Sequence, residues 1–514
     1  MLNSIDFSGK PFHFIGIGGI GMSALAYVLA KRKLPVSGSD LRLNPITERL
    51  QSLGVQVVWQ QDATYLEQRA AVSNPWGQPA DSDRPLADLP QVICSTAIAA
   101  GNAEYQAAVA LGCPIFHRSE LLAALMQEYQ SIAVAGTHGK TTTSSLIGYL
   151  LWRAELDPTV IVGGEVSAWG GNARVGAGPY LVAEADESDG SLTRFSPAIG
   201  IITNIELDHP DHYQSLAQVV TTFQTFAHQC QTVIGCIDCP TVREYCPPSI
   251  SYSLDPSLGA TYSVDAVQYR ASGTQARVWE RGQVLGTLSL RLLGSHNLSN
   301  ALAAVAVGRL LGLEFAPIAR ILGEFAGTRR RFEHRGTAAG IVFIDDYAHH
   351  PSELRATLAA ARLQLGNPIA TVSRDETTPL LDKTDAAVIQ RVVAVFQPHR
   401  YSRTQAFLAD FAQAFGDADQ VVLTDIYSAG ETNSGKITGP QVATLLQDHH
   451  PQVVYQPSLA AVTTYLRQTL TAGDLVLFLG AGNLNQVIPD LVAYFQTPIA
   501  CPARAVHRDP ALLA

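Results

Sequence analysis

The chain is poor in the residues and patterns that mark the specialised protein classes. Only seven of its 514 residues are cysteine, too few for a disulfide scaffold at this length, which sets aside the small secreted architectures and agrees with a reducing compartment. Charged residues make up 16%, and 35 Lys and Arg against 45 Asp and Glu leave a formal net charge of −10. No general basic field is available for nucleic acid, so any anionic ligand must be held by local donors. No uninterrupted apolar stretch reaches the about 18 residues of a membrane-spanning helix, and Met1 to Lys10 lacks the charged-then-apolar pattern of a secretory leader. Fixed-period repeats and low-complexity tracts are missing as well. The expectation is a soluble, cytoplasmic globular protein with no nucleic-acid partner and no membrane insertion. Its 47% hydrophobic content provides a large core, and at about 150 residues per domain the length predicts roughly three domains.

What is present is more telling. The apolar run Ser131-Ile132-Ala133-Val134 leads into Ala135-Gly136-Thr137-His138-Gly139-Lys140-Thr141-Thr142-Thr143 and then a helical pattern. Glycines there let backbone N–H groups close on phosphate oxygens, Lys140 can reach the β and γ phosphates, and the Thr141 hydroxyl can ligate Mg2+. Val134 stands where the commoner phosphate loop has its first glycine, so this loop is a shorter form, G-x-x-G-K-T. A turn without a nucleotide has no need of lysine directly after glycine and before three threonines.

A second glycine turn, Gly16-Ile17-Gly18-Gly19-Ile20-Gly21, follows the apolar His13-Phe14-Ile15 and opens another helical pattern. Such a turn places N–H groups and a helix N-terminus at a diphosphate, and Ser39-Asp40, about 20 residues on, stands where doubly wound nucleotide domains put a ribose-binding acid. A dinucleotide cofactor and a sugar-nucleotide diphosphate would use this geometry equally.

Strands alternating with helices predict mainly parallel sheets with ligands at the carboxyl ends of strands. Two polar clusters follow apolar strands there, Glu184 to Asp189 and Thr203 to His209. Glu184 can give a hard oxygen ligand to Mg2+ and His209 can join a second metal site. Ile250 to Arg291 reads as a β-rich patch ahead of Gly294 to Ala301 and an apolar helix. Four further strands, at Ile341–Ile344, Val392–Phe396, Gln420–Leu423 and Asp474–Leu479, make another doubly wound unit, in which Asp345 to Pro351 and Gln397 to Arg403 end strands. Arginines three apart, Arg400 and Arg403, can grip a carboxylate or phosphate or make only surface ion pairs. Asn74 to Pro85 and Asn367 to Asp385 read as insertions, and the tail after Thr497 as poorly ordered. Cys236-Ile237-Asp238-Cys239 has a metal-like spacing, but no second close pair follows, so these are taken as structural thiols.

These stretches together resemble the Mur ligase family. The resemblance spans the chain and rests on Gly16 to Ser23, Gly136 to Thr143, Glu184 to Asp189, Thr203 to His209, His296 to Ala301, Arg331-Phe332-Glu333, Asp345 to Pro351, His399 to Arg403 and Gly480 to Asn483. It implies an α/β protein of three domains: an N-terminal Rossmann-like domain (1–120), a central P-loop ATPase-type domain with a mainly parallel sheet (121–334) and a C-terminal Rossmann-like domain (335–496), followed by a tail (497–514). It also implies an ATP-dependent ligation of L-alanine to UDP-N-acetylmuramate through an acyl phosphate. Gly18, Gly19, Gly21, Ser39 and Asp40 would hold the UDP substrate. Gly136, Thr137, His138, Gly139, Lys140, Thr141 and Thr142 would hold ATP, with Asn297, Asn300, Arg331 and Asp346 completing its site. Thr141 and Glu184 would take one Mg2+ and His209 a second. Tyr347, His349, His399, Arg400 and Arg403 would serve the amino acid and carboxylate, with Lys140, His209, His349, Arg400 and Arg403 the catalytic set. The base that deprotonates the amine is left between His349 and His209. Ser428 stands where the family often has proline, and monomer and homodimer are both open. Three other readings compete: a recycling ligase that attaches a peptide, a non-catalytic nucleotide sensor and a dehydrogenase.

Overall fold

The computed structural model describes residues 4–42, 44–72, 89–369, 388–433, 435 and 437–497. Most of both expected insertions, and the tail, lie outside these residues. The described chain forms two compact units, one running to Glu333 and including His350–Leu363 and Gln405–Phe407, the other built from His334–His349, Gln364–Thr404 and the chain from Leu408.

The first unit contains two sheets. β1 (Phe12–Ile15), β2 (Val36–Ser39), β3 (Gln56–Val58), β4 (Gln91–Cys94) and β5 (Ile115–His117) form an all-parallel sheet in the order β3-β2-β1-β4-β5. The second sheet collects β6 (Gln130–Ala135), β7 (Thr159–Val166), β8 (Gly171–Arg174), β9 (Tyr180–Glu184), β10 (Ile199–Ile202), β11 (Thr232–Cys236), β12 (Ile250–Ser253), β13 (Tyr262–Arg270), β14 (Gly273–Glu280) and β15 (Gln283–Leu290). Its order is β15-β14-β13-β12-β11-β10-β6-β9-β7-β8, parallel from β13 through to β7 and antiparallel at both edges. The antiparallel β8 was not foreseen, because Gly171-Asn172-Ala173-Arg174 is short and carries no β-branched residue.

The central strands are mostly apolar because both faces are covered. In β6, Ile132 and Val134 enter one core while Ala133 and Ala135 enter the other, and in β9 Val182 lies opposite Leu181 and Ala183. This is the two-residue alternation of a strand buried on two sides. The helix Ser295–Leu310 fills one side and is buried at every position from Ala301 to Gly308, so it shows no polar stripe. The helix Leu216–Gln229 covers the other side through Val219, Val220, Phe223 and Phe226.

The second unit has β16 (Glu333–Ala338), β17 (Ile341–Asp346), β18 (Arg391–Phe396), β19 (Gln420–Thr424), β20 (Val453–Gln456) and β21 (Asp474–Leu479) in the order β16-β17-β21-β18-β19-β20. The pairs from β17 to β20 are parallel. The α/β class with parallel-dominated sheets therefore agrees with the expectation. Among the described residues the cysteines are free thiols. No helix among them is long and apolar enough to cross a membrane.

One polar feature of the first sheet was not foreseen. His13 in β1 contacts Ser37 through Nδ1 at 2.9 Å and Glu104 through Nε2 at 2.7 Å, and Glu104 also accepts from the Ser39 hydroxyl. All four side chains are buried. A buried pair is costly to leave half made. Glu104→Ala is therefore expected to destabilise the protein by about 3 kcal/mol, whereas Glu104→Gln, which keeps the hydrogen bonds, should cost clearly less in a denaturant titration.

Candidate active site

The phosphate loop is shaped by its neighbour strand. Gly136, at φ +139°, sits so close to Thr203 that a Cβ would fall 1.9 Å from its Oγ1, and Gly139, at φ +81°, would put one 2.6 Å from Asn300 Oδ1. Both positions therefore require glycine. The segment after β10 braces the loop: Thr137 N donates to Asn204 O (3.0 Å), His138 N to Asn204 Oδ1 (2.8 Å), and Thr203 Oγ1 to His138 O (2.6 Å). Gly139 then leads into the helix Lys140–Arg153 with no side-chain cap, so its N-terminal N–H groups are left for an anion.

Lys140 is mostly buried and its ammonium donates to Gly136 O (2.7 Å), Thr137 O (3.1 Å) and Glu187 Oε1 (2.9 Å). Burial lowers its pKa, but Glu187, Asp186 and Glu184 outweigh that and raise it, so the charge stays. Burial pushes the neighbouring Glu187 up to about 7 despite Lys140, while Asp186 is only half-buried and, against the desolvation that would raise it, is held at about 2 by Lys140, Arg118 and His209. Asp186 is thus the carboxylate that keeps its charge. Glu187 was not singled out from the sequence, although it lay inside the acidic run.

Thr141 Oγ1 donates to Glu184 Oε1 at 3.1 Å, and the other Glu184 oxygen accepts from Gly163 N at 2.7 Å. An adjacent hydroxyl and carboxylate are hard oxygen donors, a set that fits Mg2+. His209 does not join them directly; it groups with Asp186 and Glu187, their candidate ligand atoms lying within 4.8 Å of one another. Its backbone is left-handed at φ +53°, a strained conformation of the kind that gathers at functional sites.

The first glycine turn is arranged as expected in part. Gly18 N donates to Asp40 Oδ2 at 2.8 Å, and Gly19 precedes the helix Ile20–Lys31, which lacks a side-chain cap. The Ser39 side chain does not fit the expected role, because its hydroxyl is buried against Glu104; Ser39 meets the turn through its backbone carbonyl, which accepts from Gly16 N and Ile17 N (both 2.9 Å), whereas Asp40 meets it with its carboxylate. Arg118, which the sequence reading missed, lies with Nη1 3.6 Å from a Cβ on Gly21 and donates through Nη2 to Asp186 (3.2 Å) and Asp189 (3.0 Å). One guanidinium therefore joins the glycine turn to the acidic run. Asn172 in β8 fastens the second sheet to the helix after this turn, donating to Ile20 O (2.5 Å) and Ser23 Oγ (3.0 Å).

Around the loop, Asn300 packs on Gly139, Asn297 donates to Leu293 O at 2.8 Å, and Arg331 lies 3.7 Å from Glu353. Thr142 is buried in the first turn of the loop's helix. His138 lies 3.4 Å from both Glu206 and Glu353; burial lowers its pKa, but the two carboxylates raise it to about 9.

In the second unit the expected residues also gather. His349 stacks edge-on with Tyr347 (5.3 Å) and His399 (5.9 Å), and His399 lies parallel to Tyr427 at 5.7 Å. Arg403, almost fully buried, has Nη1 3.4 Å from His399 Nδ1. Arg400 has left-handed backbone at φ +69° and lies 3.4 Å from Glu431, which also accepts from Ser402 N and Oγ. The loop bearing Ser428 thus contributes Tyr427 and Glu431. Asp346 is buried and accepts from Ala348 N at 2.8 Å, which turns the chain at the end of β17.

The fold and this site define a phosphate-loop enzyme with a second diphosphate-type turn. Family models match in sequence order: the Mur ligase family catalytic domain at residues 11–130, the Mur ligase middle domain at 134–308 and the Mur ligase glutamate ligase domain at 330–482. The chain belongs to the Mur ligase family. It is 62% identical over 502 residues to the UDP-N-acetylmuramate–L-alanine ligase of Cyanothece sp., covering 97% of this chain and 98% of that one. It is 62% identical over 499 residues to the same-named ligase of Nostoc punctiforme, with 97% and 99% covered. Among solved structures, UDP-N-acetylmuramate-alanine ligase from Thermotoga maritima superposes with a TM-score of 0.75 at 27% identity, covering 95% of this chain and 99% of that one.

Two substitutions probe this geometry. Gly136→Ala forces a side chain against Thr203 in a left-handed conformation, and should destabilise the protein by about 1–3 kcal/mol and weaken ATP binding in a calorimetric titration. Lys140→Met removes the ammonium from among three carboxylates, and should lower ATP turnover by about 10²- to 10³-fold while thermal unfolding shows the fold retained.

Proposed function

We infer that this chain joins L-alanine to the carboxylate of UDP-N-acetylmuramate at the expense of ATP, in peptidoglycan synthesis. The observation that carries the reaction class is the braced phosphate loop with Lys140 and the Thr141–Glu184 pair. The choice of substrates rests on near-full-length identity of 62% to ligases of that name.

A carboxylate is a poor electrophile, so it must be activated before an amine can displace oxygen. ATP phosphorylates the muramoyl carboxylate to an acyl phosphate, the amine of L-alanine attacks its carbonyl carbon, and phosphate leaves from the tetrahedral intermediate. Gly136 to Thr142 wrap the ATP phosphates, with Asn297, Asn300, Arg331 and Asp346 around the nucleotide. Lys140 exchanges its bonds to loop carbonyls and Glu187 for phosphate oxygens, so its charge meets the transferring group without solvent reorganisation. Two Mg2+ ions are proposed, one held by Thr141 and Glu184 and one by His209; bound there, they supply neutralisation of phosphoryl charge. Gly18, Gly19, Gly21 and Asp40 hold the UDP moiety. Tyr347, His349, His399, Arg400 and Arg403 serve the amino acid and carboxylate, and residues 1–120, 121–334 and 335–496 act as the substrate, ATP and amino-acid domains. The use of ATP and a UDP-sugar supports a cytoplasmic location.

The test is phosphate release from ATP and Mg2+ with UDP-N-acetylmuramate, adding L-alanine, L-serine, glycine or the recycling tripeptide separately. Strong stimulation by L-alanine with a product of the expected mass is the expected result; stimulation by tripeptide alone, or by nothing, would overturn the assignment. In the same assay Asp40→Asn should raise the KM for UDP-N-acetylmuramate by about tenfold, the worth of one good charged hydrogen bond. Ser39→Ala should lower thermal stability and leave that KM within about twofold, because its hydroxyl is turned into the core.

A further inference from the structure

We propose that His138, Glu206 and His350 form a binding site for one late first-row divalent transition ion, Zn2+ or its Co2+ surrogate, separate from the oxygen-donor positions beside Lys140. The ligand atoms of the three residues lie within 4.8 Å of one another. His138 Nε2 is buried without a hydrogen-bond partner, 3.4 Å from Glu206 Oε2. That spacing is longer than the about 2.8 Å of a charge-assisted hydrogen bond and equals the about 3.4 Å between two ligands of a tetrahedral ion bound at about 2.05 Å. His350 Nδ1 lies 4.0 Å from the same oxygen and now takes only a long 3.3 Å bond from Ser352 N, so a small ring rotation brings it to bonding position.

The surroundings have the form of a metal site's outer shell. Glu353 faces the other nitrogen of His138 at 3.4 Å, a carboxylate placed to hold a proton on Nδ1, so that an ion binding at Nε2 displaces only that nitrogen's proton. Ser352 Oγ donates to Glu206 Oε2 at 2.8 Å and holds the carboxylate in place. Phe407 stacks edge-on to His350 at 4.8 Å and, with the His138–His350 ring contact at 4.6 Å, limits water. Two imidazoles and one carboxylate with a fourth position left open prefer Zn2+ or Co2+ to Mg2+, whose ligands are oxygens. Occupancy ties the phosphate loop, through His138, to the segment that braces it and to the first turn of the helix Pro351–Arg362. The site needs no particular reaction, so its fate is separable from that of the assignment above.

The experiment is a titration of the full-length protein with Co2+ in excess Mg2+, read by visible absorption and by calorimetry, with circular dichroism to check folding. One ion per chain with the intense bands of tetrahedral Co2+ is expected. His350→Ala and Glu206→Gln should abolish the bands and weaken binding by more than about tenfold, Glu353→Gln should weaken it by about tenfold, and His209→Ala should leave both unchanged. Absence of the bands in the unsubstituted protein, or their loss in His209→Ala with survival in a folded Glu206→Gln, would overturn the proposal.

Discussion

A single buried cation sets the terms for the ATP site. Lys140 can keep its charge away from water only because Glu184, Asp186 and Glu187 surround it, and they in turn can be brought so close together only because it is there. Without the ammonium the acids could stay so close only by taking up protons, as burial already disposes Glu187 to do. The arrangement is preorganised for anions in a specific sense. An incoming phosphate meets an ammonium already dehydrated and aimed, so the cost of stripping its water is met during folding, not during binding.

The brace behind the loop is the second constraint. A loop whose N–H groups must all point inward has no regular hydrogen bonds of its own, and Thr203 and Asn204 supply them from the next strand in the sheet. Parallel order makes this possible, because β6 and β10 lie side by side with their carboxyl ends together. The same juxtaposition delivers Glu206 and His209 to the site, and explains why one short segment after β10 holds so many polar residues.

How legible this was depended on sequence distance. The glycine turns, the lysine and threonine of the loop, and the acids after apolar strands are local patterns, and the family resemblance located most of the residues that gather around them. Pairings across long stretches were not legible. Nothing in the sequence couples His13 to Glu104, 91 residues apart, or Arg118 to Asp189, 71 residues apart. Ser39 shows the limit most clearly: its place beside Asp40 at the end of β2 suggested a ligand contact, but every residue of that strand is buried and the Ser39 hydroxyl is taken by Glu104, 65 residues away. Glu187 was visible as one acid among several, and only the structure distinguishes the one that bonds Lys140.

The distance between the loop and its brace also bears on how the chain is made. The phosphate loop is synthesised 66 residues ahead of Asn204, the residue that gives it shape. At about 5–20 residues per second this is a delay of roughly 3 to 13 seconds. During that interval β6 has no β10 beside it and the loop's backbone groups face solvent. The phosphate-binding signature is therefore complete in sequence before the residues that shape it exist, and its brace forms only once β10 pairs with β6.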